Sequence, residues 1–410
     1  MSNQIKKIRT ILKGNIGVMI TSSALWSVTG NLTGPFYALY VIELGGDAAM
    51  IGQIIGISAL IKIIPIFIGG YLTDRVGRKR ILFTFTYLLA CVALIRAFSP
   101  DYRFLLIASV LEALFLGIRG PSMGSLVADS TDPDNRSMSY ALWMVIPAMV
   151  GVLSPSIGGI LVDRYGLSTA MMYGYIAIFA TGSLSAYLRQ RFIEETLSET
   201  TEVNASSAAV KELVSGFGET IRSLSRDAMI FLSLDFIFTL GLGMVDPYQV
   251  TFATDSLGLT ATQWGSIISL VIIVNCAVNL LVASPSDSQG RVKFVRASMI
   301  TWPITYLLFI NSGNYLQLVL ARLAITISAG VGQPAWHALF VDYCPKGHRG
   351  RYNALLEIGW SVLYGVGSWL GGILYQNMGM RTPFQWSIGL MSVGAVLSIL
   401  LLREPEEKAE

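Results

Sequence analysis

Twelve long apolar runs divide this chain, and they constrain its fold more than any other feature. A helix that crosses the hydrocarbon core of a bilayer needs about 20 mostly apolar residues. Only 13% of the 410 residues are charged, whereas about a quarter are charged in a soluble domain. The sequence therefore predicts an all-α membrane protein with twelve transmembrane helices, which cover about 15–42, 50–72, 80–99, 103–127, 138–162, 168–188, 228–254, 262–284, 293–311, 314–340, 352–375 and 382–402.

The positive charges predict the orientation of these spans. If the N-terminus is cytoplasmic, three of the 29 Lys and Arg residues lie in outer loops (Arg103, Arg164 and Arg381) and four lie inside the spans. The others lie in cytoplasmic loops and tails, as the positive-inside rule requires. We therefore expect a multi-pass protein of the cell (plasma) membrane with both termini in the cytoplasm.

Several functional classes do not fit the composition. The net charge is only +3, and Lys and Arg are spread over many loops, so no nucleic-acid partner is expected. The three cysteines are far apart and the chain has two histidines, which gives no spacing for a metal site. No nucleophile with an adjacent base and no nucleotide-binding loop is visible. We expect neither an enzyme nor a bound cofactor.

The chain repeats itself at an offset of 213 residues. The coincidences that chance explains least pair Asp74 with Asp287, Gly77 with Gly290, Arg78 with Arg291, Asp129 with Asp342, and Arg136 with Arg349. We therefore predict two parallel six-helix halves, residues 1–188 and 228–410. The linker, 189–227, predicts a short amphipathic helix, either on the inner membrane surface or packed on the protein. Two such halves can rock about a central site, which gives alternating access.

The stretch GYLTDRVGRK, Gly70–Lys79, resembles the signature between spans two and three of the major facilitator superfamily. The resemblance covers essentially the whole chain and implies a secondary transporter with that family's fold. It also implies a cytoplasmic gate, in which the acid at Asp74 meets the start of span eleven and Arg78 meets Asp129. Asp287 and Arg291 should mirror these contacts in the other half, with Asp342. The gate residues are Gly70, Asp74, Arg75, Gly77, Arg78, Asp129, Arg136, Asp287, Gly290, Arg291, Asp342 and Arg349, to which we add Glu357 from its position in span eleven.

Span five contains the stretch SPSIGG, Ser154–Gly159. Its Pro155, Gly158 and Gly159 resemble the antiporter motif of drug and metabolite exporters in the same superfamily, although Ser154 replaces the usual first glycine. The alternative is that these residues only bend and pack a helix.

Ionisable residues inside the spans are candidates for function, because each costs about 2.5–3.5 kcal/mol at bilayer depth. The proton-coupling candidates are Asp246, Asp235 and Glu112. Asp235 and Asp246 are eleven residues apart and so share one helix face, but an ion pair or contact with the interface is the alternative for each. We expect Arg96 to reach the outer interface, and Glu112 to be able to pair with Arg119.

Polar and aromatic residues on the spans form a candidate substrate cavity, since such a lining suits amphipathic compounds. They are Asn31, Trp26, Lys62, Arg119, Trp143, Asn275 and Trp360. The leading hypothesis is proton-coupled efflux of small amphipathic organic compounds. The alternatives are a proton-coupled importer of a sugar or small organic anion and a non-transporting membrane receptor. The expected partners are a small-molecule substrate, protons or another coupling ion, and membrane lipid, and the protein is expected to act as a monomer.

Overall fold

The computed structural model describes residues 12–131, 136–197, 224–343 and 349–404. All regular structure in these ranges is helical. The helices are α1 (Gly14–Thr33), α2 (Tyr37–Glu43), α3 (Ala48–Val76), α4 (Arg78–Ala97), α5 (Tyr102–Asp129), α6 (Arg136–Val150), α7 (Ser154–Tyr165), α8 (Leu167–Phe192), α9 (Arg226–Val245), α10 (Gln249–Leu257), α11 (Ala261–Gln289), α12 (Arg291–Ile310), α13 (Tyr315–Tyr343), α14 (Arg349–Met378) and α15 (Thr382–Leu401).

Helices occur at all twelve positions predicted from the apolar runs. Within the described ranges, nine stretches are long and apolar enough to cross a membrane, namely 48–76, 78–97, 102–129, 138–165, 167–192, 226–257, 261–282, 315–340 and 382–401. Large apolar side chains point outward on several of them; Leu281 is 73% exposed and Ile64 is 68% exposed. Such surfaces suit lipid as the solvent, because a helix satisfies its own backbone hydrogen bonds.

Two spans are interrupted by a short 3-10 turn whose second residue is a proline. The turn Gly34–Phe36 separates α1 from α2, and the turn Asp246–Tyr248 separates α9 from α10. Pro35 and Pro247 lie in the first turn of these segments, where proline is tolerated but cannot donate to the preceding turn. The interruption in the second half places an ionisable residue, Asp246, at the break.

The helices form two compact units. Unit 1 comprises residues 1–46, 57–203 and 260–272, and unit 2 comprises 47–56, 204–259 and 273–410. These units follow the predicted halves except for one short segment at the start of α3 and one at the start of α11. The region predicted to form the linker helix lies largely outside the described residues, since 198–223 are not described.

Each unit has its own packed interior. In unit 1, α4 packs on α5 and α8, and α1 packs on α8 and α6; a buried cluster includes Met19, Leu82 and Leu126. In unit 2, α12 packs on α13 and α15, and α9 packs on α14 and α15. Here Phe252, Phe309 and Phe384 lie within 6 Å of one another, centroid to centroid.

Candidate functional site

The signature turn of the first half is held by an ion pair between Arg78 at the start of α4 and Asp129 at the end of α5. Gly77, between α3 and α4, has φ of +106°, a conformation that side chains with a Cβ rarely adopt. The pair of Arg78 and Asp129 predicted from the sequence is therefore present. It ties together the ends of two helices that the chain connects only at their other end.

The second half has the same arrangement. Arg291 at the start of α12 forms an ion pair with Asp342 at the end of α13, and Gly290 has φ of +94°. Arg291 also donates to the carbonyl of Ala338, at 3.2 Å. The predicted mirror of the first ion pair is thus observed, which accounts for the coincidence of Gly, Arg and Asp at one offset.

Two carboxylates that sequence reasoning missed complete these turns. Glu195, after α8, accepts from the backbone N–H groups of Arg78 and Lys79 at 3.0 and 3.1 Å. Glu404, after α15, accepts from the N–H of Val292 at 2.8 Å. Each acid therefore caps the N-terminus of the helix that follows the glycine, where unpaired N–H groups attract an anion. The repeat could not reveal them, because Glu195 and Glu404 are 209 residues apart and not 213.

The structure describes fewer contacts for the remaining gate residues. Asp74 and Glu357 are exposed, and the guanidinium of Arg75 lies 4.4 Å from the Tyr71 ring centroid. A Cβ at Gly70 would have nothing within 4 Å. The side chains of Arg136, Asp287 and Arg349 are outside the described part, as are the residues just before α14. The contact of Asp74 with the start of span eleven stays a prediction.

The helix-five motif forms a close contact between α7 and the start of α11 within unit 1. A Cβ at Gly159 would overlap the carbonyl oxygen of Ala261, and one at Gly158 would overlap that of Leu32 on α1. Asp163, one turn further along α7, accepts from the N–H groups of Ala261 and Thr262 at 3.0 and 2.8 Å. The motif therefore packs two neighbouring helices tightly, and an acid that the sequence did not single out caps one of them.

Asp246 lies at the break between α9 and α10 and is exposed to solvent, although the residues on either side are apolar. Its Oδ1 atom accepts from Gln249 Nε2 at 2.8 Å and from the Tyr306 hydroxyl at 3.0 Å. Arg322 on α13 interacts with it electrostatically. Within the described part of the chain the two side chains form no direct ion pair. Asp246 is thus an anchored, accessible carboxylate whose second oxygen is available to a proton or a ligand.

Asp235 has a different environment, because it lies on a side of α9 that packs into an aromatic cluster. It is only 8% exposed, and among the described residues its Oδ2 atom has no hydrogen-bond partner. Trp336 interacts with the carboxyl group and packs against Phe231 in a tilted arrangement, with ring centroids 4.8 Å apart. The helix runs unbroken from Asp235 to Val245, and the 3-10 turn begins at Asp246; the common face of Asp235 and Asp246 stays a prediction.

Glu112 pairs with Arg96 and not with Arg119. Arg96 Nη2 lies 2.5 Å from Glu112 Oε2 and 3.1 Å from the Ser109 hydroxyl, and the Tyr37 hydroxyl lies 2.9 Å from that same hydroxyl. The expectation that Arg96 reaches the outer interface is therefore wrong. A carboxylate on the adjacent helix lies closer than the interface and can neutralise it, because sequence spacing along one helix does not show which neighbour packs beside it.

Arg119 on α5 is left without an acid. Its guanidinium lies 5.7 Å from the Trp26 ring centroid, and its buried Nε atom has no hydrogen-bond partner among the described residues. A second base, Arg189, is 3% exposed and donates to the hydroxyls of Ser22 and Thr86, both at 2.9 Å. Sequence reasoning assigned Arg189 to the cytoplasmic end of span six, whereas it lies inside unit 1.

The other cavity candidates are partly exposed. Asn31 donates to Ser27 and to the Gly151 carbonyl at 3.3 and 3.4 Å, and Trp143 donates to Ser23 at 3.4 Å. Lys62 on α3 is half-buried. In unit 2, Asn275 accepts from Asn279 at 2.8 Å, and Trp360 stacks on Tyr364, with centroids 5.1 Å apart. Their role in binding stays a prediction.

Comparison with known families now places the chain. A model of the Major Facilitator Superfamily matches residues 18–245 and 231–410. The chain therefore belongs to the major facilitator superfamily, and it is a multi-pass membrane transporter. The double match agrees with the repeat of polar and glycine residues at one offset.

Two curated relatives indicate the branch. The chain is 25% identical to the multidrug resistance protein MdtG of Klebsiella pneumoniae, over 97% of this chain and 95% of that protein. It is 23% identical to the quinolone resistance protein NorA of Staphylococcus aureus, over 42% of this chain and 44% of that protein.

Solved structures share the fold. A crystal structure of the peptide transporter POT superposes with a TM-score of 0.76 at 14% identity, over 94% of this chain and 93% of that one. The human organic anion transporter MFSD10 superposes with a TM-score of 0.68 at 15% identity, over 93% and 98%. At these identities the likeness concerns the fold alone.

Proposed function

We propose that this protein is a secondary active exporter that works by alternating access and exchanges protons for small amphipathic organic compounds. The single observation that carries the proposal is the environment of Asp246. A carboxylate at bilayer depth is costly and is retained where it serves a pathway or a partner. Asp246 is exposed, is held by Gln249 and Tyr306, and has no bonded base to fix its charge in the described part of the structure.

The geometry favours Asp246 over the other two acids as the proton carrier. Glu112 is held in an ion pair by Arg96, so its carboxylate already has a fixed partner. Asp235 is buried and interacts with Trp336, so it is less accessible than Asp246. Asp235 is the second candidate, because one oxygen of its buried carboxyl group has no hydrogen-bond partner among the described residues, which is costly for a polar atom.

Export is supported by the helix-five motif and by the relatives. The motif resembles that of antiporters, and both curated relatives are drug resistance proteins, MdtG along nearly the whole chain. The signature turns supply the latch, since the ion pairs at Arg78 and Arg291 tie helix ends at one end of each unit. In this proposal Asp74 forms the contact that closes the cytoplasmic side, and its release opens that side.

The test is transport by the purified protein in sealed proteoliposomes. Rhodamine B ethyl ester, an amphipathic cation, is loaded on one side, and a pH dye reports the lumen. We expect a gradient of the ester to drive protons in the opposite direction, and a proton gradient to drive uphill movement of the ester. Movement of protons and ester in the same direction would support the importer instead. No proton movement with intact ester transport would refute proton coupling.

A further inference from the structure

Arg119 is a base without an ion-pair partner among the described residues, since Glu112 acts on it only electrostatically, and from this observation we infer a substrate class. The acid that sequence spacing offers as its partner, Glu112, is two turns away on α5, about 10 Å along the axis. That acid is occupied by Arg96 at 2.5 Å. Within the described residues Arg119 has neither an ion pair nor a hydrogen bond, and its Nε atom is buried. Such a group is destabilising unless something else supplies the missing negative charge.

The guanidinium is held in position by Trp26. The ring of Trp26 lies 5.7 Å from the Arg119 guanidinium carbon, a cation–π distance. The indole is closely packed against α8. A Cβ added at Gly182 on that helix would lie 2.8 Å from the six-membered ring of Trp26 and 2.9 Å from Ala90 of α4, so the ring has little room to move. An arginine stacked on an aromatic face keeps the edge of its planar fork free for a bidentate acceptor.

The surroundings of Arg119 attract anions. Arg189 is close enough to repel it electrostatically, and its own partners are the neutral hydroxyls of Ser22 and Thr86. Two neighbouring cations in a low-dielectric interior raise the local positive potential. A ligand can reach the site, because Arg119 and Trp26 are only half-buried and the adjacent Gly120 is exposed.

We propose that Arg119, supported by Trp26, binds the carboxylate of an aromatic or amphipathic substrate. The proposal rests on the proposed function and narrows it: among amphipathic compounds, those that carry an anionic group are bound preferentially. The guanidinium fork binds the two carboxylate oxygens, and the exposed part of the indole contacts the apolar body of the same molecule. A purely cationic compound lacks this contact and therefore binds more weakly.

The experiment compares two dyes that differ in one group. Rhodamine B has a free carboxylate, and its ethyl ester has the same xanthene cation and aromatic area without that charge. Binding to the purified protein is measured by fluorescence anisotropy. We expect rhodamine B to bind at least about tenfold more tightly than the ester, since bonds to charged groups contribute about 1.5–3 kcal/mol. Arg119→Gln should abolish the preference, and Arg119→Lys should retain a smaller one.

The matched control is Arg164→Gln. Arg164 also lies over an aromatic ring, with its guanidinium 5.5 Å from the Tyr165 centroid, but it is exposed at the end of α7. Its removal deletes the same charge and should leave the preference unchanged. A preference that survives in Arg119→Gln, equal binding of the two dyes to the unaltered protein, or no saturable binding of rhodamine B would each overturn the proposal.

A lipid headgroup could supply the same anionic chemistry, so binding is repeated in nanodiscs of phosphatidylcholine with and without phosphatidylglycerol. We expect equal affinity for rhodamine B in both. If the affinity for rhodamine B is lower in the anionic nanodiscs and Arg119→Gln removes this difference between the two lipid compositions, Arg119 binds lipid and the proposal is overturned. The binding assay does not require proton exchange. A protein that prefers the carboxylate but moves no protons would therefore contradict the proposed coupling and support this inference.

Discussion

The interiors of the two units carry opposite charges. Among the ionisable residues that the sequence places inside the membrane, unit 1 has three bases and one acid, namely Lys62, Arg96, Arg119 and Glu112. Unit 2 has three acids and one base, namely Asp235, Asp246, Glu357 and Arg322. The two homologous sets of helices thus share matching ion pairs in their signature turns. They differ in the sign of the charged residues within the membrane-spanning parts of their helices.

The difference distinguishes charged residues that are neutralised by a partner from those that are free to bind a substrate or a proton. In unit 1 the single acid neutralises Arg96, which leaves Arg119 uncompensated. In unit 2 the single base, Arg322, donates to Thr326 at 3.3 Å on its own helix, which leaves the carboxylate of Asp246 accessible. We therefore propose that unit 1 recognises the anionic group and that unit 2 exchanges the proton.

The largest effect is expected for Asp246→Asn. The amide cannot exchange a proton, so proton-coupled transport in proteoliposomes should fall at least about 100-fold, the lower range for loss of a positioned proton-transfer group. Asp255→Asn is the matched control, because that acid lies in the same span but bonds only the Tyr375 hydroxyl in the described structure, at 2.7 Å. Full coupled transport in Asp246→Asn would assign the proton to another group.

Removal of Arg96 and removal of Arg119 should have opposite effects on stability. Arg96→Gln leaves Glu112 unpaired and should cost on the order of 3 kcal/mol, seen as a lower melting temperature that Arg96→Gln with Glu112→Gln partly restores. Arg119→Gln removes an uncompensated charge and should raise the melting temperature by about 2 °C or more. A lower melting temperature in Arg119→Gln would show that the base has a structural partner.

Neutralising Asp74 separates gating from binding. Asp74→Asn should reduce the transport rate severalfold while the affinity for the rhodamine dyes stays within about twofold, because Asp74 is exposed and forms no ion pair with Arg119 among the described residues. The measurement is initial transport rate beside anisotropy on the same preparation. Equal loss of rate and affinity would count against a gate.

The smallest effect is expected at the carboxylate caps. Glu195→Gln and Glu404→Gln each weaken the bonds to the N-terminus of α4 or α12 and should lower stability by about 1 kcal/mol or less. The two units should respond alike here, in contrast to their interiors. A loss at only one cap would show that the signature turns are not equivalent.

The fold followed from features that a sequence displays directly. Apolar runs predict helices because the bilayer leaves few alternatives, and the ion pairs of Arg78 with Asp129 and of Arg291 with Asp342 followed from the repeat and the family resemblance. These contacts join residues in a recurring local arrangement. The positive φ of Gly77 and Gly290 is likewise a local requirement that a glycine signals.

The charged interior was harder to predict, because its contacts depend on which helices are neighbours. The pairing of Arg96 with Glu112 crosses from α4 to α5, and nothing in the spacing of either helix favours it over a pair of Glu112 with Arg119. Arg189 looked like a cytoplasmic anchor because it lies at a span end, yet hydroxyls on α1 and α4 bind it. Glu195 and Glu404 follow the repeat in space but not in register.

The most direct test of the account is the number of protons exchanged when substrate moves. Sealed proteoliposomes containing a pH dye receive a rhodamine B ethyl ester gradient, and proton flux is recorded for the unaltered protein, Asp246→Asn and Asp255→Asn. The account predicts proton movement opposite to the ester in the unaltered protein and in Asp255→Asn, and none in Asp246→Asn. Undiminished counterflow of protons in a variant in which Asp246, Asp235 and Glu112 are all neutralised would contradict it.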